Sequence, residues 1–143
     1  MIRAMTEADL IEVLTIEEQS FSLPWSRSAY EESLGKDYYR FTVEETDGKI
    51  RGYAAIYLAP QEAELLRIAV DSAERKKGIA QKLLDAILKY LKEAEAEKLF
   101  LEVRSSNEAA LRLYQKTGFH SIGIRKGYYE NPKEDAVLME LPL

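Results

Sequence analysis

Apolar residues recur along this chain in two periods, and the switches between them lay out a series of elements. Leu10, Val13 and Leu14 share one face of a helix that Thr6 can cap and that runs toward Gln19. The segment FSLPWS, Phe21 to Ser26, interrupts it, and Ser26 then starts a short helix through Leu34 that Gly35 can close. Next, YYRFTVEET and KIRGYAAIYLA flank Asp47-Gly48, the strongest short hairpin signal present, which predicts two antiparallel strands. After Pro60, Ala63 to Val70 reads as a further strand. Beyond Gly78 the period becomes helical, with Ala80, Leu83, Leu84, Ile87 and Leu91 on one stripe. LFLEVR returns to strand alternation, placing Leu99, Leu101 and Val103 on one face and Phe100, Glu102 and Arg104 on the other. Strand, crossover helix and strand make a βαβ unit, whose two strands are expected to run parallel.

Ser105 to Glu108 has the spacing of a capping box, Gly118 is placed to end the helix it opens, and Phe119 onward predicts two closing strands ending in AVLMEL. The predicted order is two helices, three strands, helix, strand, helix and two strands, a mixed α/β arrangement. With 143 residues, no repeat and no Pro/Gly/Ser-rich linker, residues 1–143 are expected to form a single domain.

Composition narrows the chemistry. No cysteine is present, which excludes disulfides, a thiolate nucleophile and Cys-ligated metal, and the lone histidine, His120, leaves no His-rich metal site. His120 reads as a strand residue after the last helix. The N-terminus MIRAMTEADL lacks a long apolar segment, and no run approaches the roughly 20 apolar residues of a membrane span. A cytoplasmic location without membrane attachment is the expectation. The net charge of −5 argues against a nucleic-acid partner, since neutralising phosphates takes a basic face, and favours cationic substrates.

The stretch IAVDSAERKKGIAQKLL, Ile68 to Leu84, carries the most chemical information: an apolar strand, an acidic and polar turn, a basic loop, Gly78 and a helix. A basic loop ending at a helix N-terminus is an anion site, because the first N–H groups lack intrahelical partners and the macrodipole places positive charge there. Arg75, Lys76 and Lys77 add formal charge, and Gly78 leaves the backbone open to a pyrophosphate. The GxxxxGK[ST] and GxGxxG nucleotide motifs do not fit, and no hydroxyl follows the lysines to anchor Mg²⁺. Taken residue by residue, Glu102 is a solvated strand residue, an ion-pair partner of Arg104 or a base. Tyr114, on the stripe with Ala110 and Thr117, reads as core, and Asn107 reads as an N-cap.

Arg75, Gly78 and Ala80 match [RQ]-x-x-G-x-[GA], and on this pattern the chain resembles the GCN5-related N-acetyltransferases. The block LEVRSSNEAALRLYQKTGF, together with FSLPWS, IAVD and the tail RKGYYENPKEDAVLMELPL, extends the resemblance over nearly the whole chain. It points to the family's bacterial branch that acetylates the N-terminal alanine of a ribosomal protein. The resemblance implies the family's fold, a central mixed but mostly antiparallel sheet with one splayed parallel pair, flanked by helices. It also implies acetyl-CoA as co-substrate, no metal, and a protein N-terminus as acceptor, that of the eighteenth small-subunit ribosomal protein.

Residue by residue, the resemblance implies Glu102 as general base and Tyr114 as general acid. It implies Ile68, Ala69 and Val70 as the strand pairing with pantetheine, Arg75, Lys76, Lys77, Gly78, Ile79, Ala80 and Gln81 as the phosphate loop, and Asn107 as a further cofactor contact. Trp25, Tyr128 and Tyr129 fall to the acceptor groove, with Glu31 or Glu32 as partners for basic side chains. Arg75 stands where that branch often has Gln, Ala80 where it has Gly, and Gly127 where its tail has Asn, so the acceptor side departs most. Without a cysteine, direct transfer in a ternary complex is the simplest mechanism. Transfer to a lysine side chain, polyamine or other small amine stays open. So does acyl-CoA binding without turnover, although the presence of both Glu102 and Tyr114 counts against it.

Overall fold

In the computed structural model, which describes residues 1–143, one seven-stranded sheet runs through the molecule. The elements are β1 (Ile2–Ala4), α1 (Leu10–Ser20), α2 (Arg27–Ser33), β2 (Tyr39–Thr46), β3 (Lys49–Leu58), β4 (Glu62–Val70), α3 (Ile79–Glu93), β5 (Lys98–Arg104), α4 (Glu108–Thr117), β6 (His120–Tyr129) and β7 (Glu134–Pro142). The strands lie in the order β1-β2-β3-β4-β5-β7-β6. All neighbours are antiparallel except β4 and β5, joined by α3, which are parallel as the βαβ reading requires. No helix is long and apolar enough to cross a membrane.

Each face of the sheet carries a core. On one, Leu83, Leu84, Ile87 and Leu91 of α3 pack on Leu65 of β4 and on Leu99, Leu101 and Val103 of β5, with Tyr114 of α4 and Phe119 joining them. On the other, Leu10, Val13 and Ile16 of α1 and Tyr30 of α2 cover Val43, Ile50, Tyr53 and Ala69. Gly52 sets how near α3 comes, since a Cβ there would lie 2.9 Å from the Ala69 carbonyl oxygen and 3.0 Å from Ile79 Cγ2.

Four local expectations change. A strand, β1, precedes the first helix, with Arg3 opposite Val43; three residues are too few to show an alternation. Thr6 does not cap α1 directly, because a 3-10 turn, Glu7–Asp9, intervenes, and the Thr6 N–H donates to Asp9 Oδ2 at 2.8 Å. The Ser105–Glu108 capping box does not form. Asn107 is the N-cap of α4, accepting from Ala110 N at 3.2 Å, while Ser105 and the Ser106 N–H donate to Glu134. Gly35 lies in the turn after α2 without a left-handed backbone, and the helix ends through Leu34. By contrast Gly48, Gly78 and Gly118 have φ of 74°, 77° and 117°, the conformations for which glycine is needed.

Candidate active site

The sheet opens at one place. β4 pairs with β5 only from Glu62 opposite Lys98 to Leu65 opposite Leu101. At that point the β3–β4 register slips, Ile56 facing Leu65 but Ala55 facing Arg67, so Leu66 is an extra bulged residue. A bulge bends its strand and increases the local twist. Residues 66–70 therefore part from β5, and their backbone groups on that side have no strand partner. Ile68, Ala69 and Val70 all lie in this splayed segment. Their side chains are committed elsewhere, Ile68 and Val70 against the α3 core and Ala69 against the α1 core, which leaves only their backbone for a ligand.

The loop from Asp71 to Gly78 connects the splay to α3. Asp71 Oδ1 accepts from Ala73 N at 3.0 Å, Lys76 and Gly78 take left-handed backbones, and Gly78 is the N-cap without a side chain to occupy the first N–H groups. The basic run is divided. Lys77 Nζ is bound to Glu74 at 2.8 Å, and Glu74 also faces Arg51 at 3.9 Å, whereas Arg75 and Lys76 are exposed beside the helix start. Ile79 is buried in the α3 core, so it presents only its N–H, while Ala80 and Gln81 are half-buried at the first turn. An extended chain whose carbonyls and amides along one side have no strand partner, the Val70 carbonyl accepting only from Arg75 Nε at 3.5 Å, and an open helix N-terminus at its end suit a ligand made of an amide arm and a pyrophosphate.

Glu102 stands on β5 just past the last β4 pairing, on the face turned away from Leu101 and Val103. Its carboxylate oxygen Oε2 is buried without a hydrogen bond, and its nearest cation is Arg125, with Nε at 3.7 Å. Arg104 is not its partner. That guanidinium instead donates to the Pro132 and Glu130 carbonyl oxygens, each at 2.8 Å, and to Ser22 Oγ at 3.2 Å, and it stacks on Tyr129 at 4.5 Å, fastening the β6–β7 turn to the segment after α1.

Tyr114 is buried in the α3–α4 core, edge-on to Phe119 at 5.5 Å. Burial first, and Tyr129 second, push its hydroxyl well above the usual phenol range, so it holds its proton at neutral pH. Tyr129 links the two: burial and then the Glu102 charge push its own hydroxyl up to about 12. The side-chain oxygen of Asn107 is engaged as a cap, and its amide nitrogen remains free to donate. Tyr128 is exposed, with Arg125 over its ring at 5.4 Å, and the two tyrosines meet edge-on at 5.1 Å. Gly127 has a φ of 60°, and a Cβ there would strike Lys133 Cε at 2.8 Å.

Trp25 sits on the other flank of the opening, with the Arg67 guanidinium over its ring at 4.2 Å and over Phe21 at 3.9 Å. Arg67 is held by Glu17, a fully buried acid that accepts from Arg67 Nε at 3.1 Å, Trp25 N at 2.8 Å, the Tyr30 hydroxyl at 2.9 Å and the Tyr53 hydroxyl. Neither Glu17 nor Arg67 was marked by sequence reasoning. The available signal was an acid on an apolar stripe, since Glu17 follows Leu10 and Val13 at helical spacing. Glu31 is exposed and faces Arg27 at 3.8 Å, and Glu32 is exposed on the same helix.

A splayed parallel pair with a carboxylate on its margin and a free helix N-terminus at its end can receive an acyl donor built on an amide arm and a pyrophosphate, and the comparisons with known proteins give the class. The acetyltransferase (GNAT) family profile matches residues 10–119, and the chain belongs to that family, whose members use acetyl-CoA. Among its relatives, the [ribosomal protein bS18]-alanine N-acetyltransferase of Haemophilus ducreyi is 37% identical over 146 aligned positions, covering 100% of both chains. The enzyme of the same name from Escherichia coli K12 is 33% identical over 144 positions, covering 99% of this chain and 97% of its own. The crystal structure of the Escherichia coli ribosomal-protein-S18-alanine N-acetyltransferase superposes with a TM-score of 0.92 at 32% identity, covering 99% of this chain and 92% of that one.

Proposed function

We propose that residues 1–143 act as one N-acetyltransferase domain that moves the acetyl group of acetyl-CoA onto the N-terminal amine of a protein beginning with alanine. The named relatives point to the small-subunit ribosomal protein bS18 as that protein. The observation that carries this reading is the splay of β4 from β5 at Leu66, with a Glu102 oxygen that makes no hydrogen bond on its margin.

In this reading the backbone of Ile68 to Val70 pairs with the pantetheine arm, and the N–H groups from Lys76 to Gln81 receive the pyrophosphate beside Arg75 and Lys76. Lys77 contributes mainly by tying the loop to Glu74, and Asn107 donates through its free amide. The acceptor enters from the other face, between Trp25 and the Tyr128–Tyr129 pair. Glu102 takes a proton from the α-ammonium, directly or through water, and frees the lone pair that attacks the thioester carbonyl. Negative charge then gathers on the carbonyl oxygen, where an N–H of the splayed strand can stabilise it. As the carbon–sulfur bond breaks, Tyr114 gives its proton to the departing thiolate and recovers it when the amide product loses its second proton. The dry surroundings that make Tyr114 a weak acid also raise the thiolate's affinity for a proton, so the two remain matched.

The test is CoA release, followed with a thiol reagent, from acetyl-CoA and a peptide copying the N-terminus of bS18, beside the same peptide with its α-amine blocked. The chain itself has no cysteine to add background. Release only from the free amine supports the proposal; equal release from both peptides, or none from either, refutes it.

A further inference from the structure

Glu102 lines a cavity of about 300 Å³ whose other residues have no part in the mechanism above. Phe100, Leu138 and the ring of Tyr57 wall it, and Glu62, Glu64 and Glu102 bring three carboxylates to it against a single cation, Arg125. Glu64 is the carboxylate without a role. It pairs in register with Phe100, two residues before Glu102 on the same face of the neighbouring strand. Burial and the Glu102 charge push its carboxyl above the ordinary range, and only Arg125, whose Nε faces Glu102 rather than Glu64, opposes them. Two half-buried carboxylates on adjacent strands, one with a buried oxygen that makes no hydrogen bond and has only Arg125 at 3.7 Å, make a place where a cation gains from both.

We infer that Glu64 is a second carboxylate of the acceptor site, binding the incoming α-ammonium opposite Glu102, so that it governs the affinity for the acceptor rather than the chemical step. This rests on the function proposed above. Glu64 forms no covalent bond and keeps no proton: the ammonium's proton passes to Glu102, and Glu64 holds the nitrogen in place while it does so. The other groups facing the cavity set the background. Tyr57 sits opposite Glu64 on β3, Glu62 and Arg125 also line the cavity, Tyr129 lies beyond Glu102, and Leu138, opposite Glu102 on β7, carries no charge.

The experiment measures kcat and KM separately, for the unmutated chain, Glu64→Gln and Glu64→Asp, with an alanine-led peptide whose remaining residues are uncharged, so that the α-ammonium is the acceptor's only cation. Glu64→Gln is expected to raise the acceptor KM about tenfold, the loss of one charge-assisted contact. It leaves kcat within about twofold and the acetyl-CoA KM unchanged, and Glu64→Asp recovers most of the difference, because only the charge is needed. In the unmutated chain the acceptor KM rises as the pH falls toward the raised Glu64 carboxyl, and in Glu64→Gln the part of that rise due to Glu64 disappears. Turnover by the unmutated chain with an acceptor KM that Glu64→Gln does not move overturns the inference alone. Absence of turnover by the unmutated chain removes the proposed function and this inference with it.

Discussion

Replacing Glu17 by Ala tests whether its buried carboxylate organises the acceptor side of the site. Four donors from four different segments converge on it: the Trp25 N–H at 2.8 Å, the Tyr30 hydroxyl at 2.9 Å, Arg67 Nε at 3.1 Å and the Tyr53 hydroxyl. Removing one partner of a buried ion pair costs about 3–5 kcal/mol, because the surviving charge stays away from water. Arg67 escapes part of that cost, since its side chain is 17% exposed and it can turn outward once released. The two phenols cannot, as Tyr30 and Tyr53 are 1% and 0% exposed; their hydroxyls can still pair with each other, but one O–H then has no acceptor, at about 1–3 kcal/mol.

The penalties overlap, so the net loss for Glu17→Ala is expected near 3–5 kcal/mol, a large share of the ~5–15 kcal/mol that holds a domain together. For a chain of this length that corresponds to a fall in melting temperature of roughly 9–15 °C. Urea unfolding followed by circular dichroism measures it. The double variant Glu17→Met/Arg67→Met, which removes both charges, should recover part of the loss. A single-variant cost below about 1 kcal/mol, or a double variant no better than the sum of its parts, would refute the reasoning.

Gly52→Ala should cost about 1–3 kcal/mol and raise the acetyl-CoA KM, because a methyl there would lie 3.0 Å from Ile79 Cγ2 of α3 and 2.9 Å from the Ala69 carbonyl of β4, so helix and splayed strand must both give way; thermal unfolding and initial rates read both effects. Acid should unfold the protein in a defined window. Asp9, bound to Arg3, and Glu44, bound to Arg51, each have carboxyls lowered to about 2, so their contribution is complete above the ordinary carboxylate range and is lost as pH falls from about 4.5 to 2. Stability against urea at pH 7, 5 and 3 checks the sign, with little change over the first interval and a loss of several kcal/mol by the last. Tyr114→Phe should lower kcat about 10²–10⁴-fold while leaving the melting temperature within about 3 °C, since the ring stays packed on Phe119 and only the proton is removed.

The elements visible in the sequence were those whose signals are local. Asp47-Gly48, Gly78 and Gly118 adopt the positive φ that such residues supply, and the stripe from Leu83 to Leu91 does lie on the sheet. The parallel pairing of β4 with β5 followed from chain order and handedness alone. What stayed hidden depends on residues far apart. The bulge at Leu66 that opens the site falls within an ordinary apolar strand, and nothing in Glu64-Leu65-Leu66-Arg67 marks it. Glu102 and Arg104 invite pairing with each other, yet Arg104 turns to Glu134 and the β6–β7 turn, because carbonyl oxygens brought there by the hairpin offer it more hydrogen bonds. Ser105 and Asn107 both suit a helix start, and Glu134, 29 residues from Ser105, decides between them by accepting from both Ser105 and Ser106.

The central claim is that the acetyl group goes to an α-amine. It is tested most directly by fragmenting the product of one reaction in a mass spectrometer, using a peptide that begins with alanine and carries an internal lysine, so that both amines compete for the same enzyme. The account predicts the acetyl group on the alanine nitrogen, with the lysine unmodified and with turnover abolished by Glu102→Gln. Acetyl on the lysine side chain in preference to the terminus would contradict it.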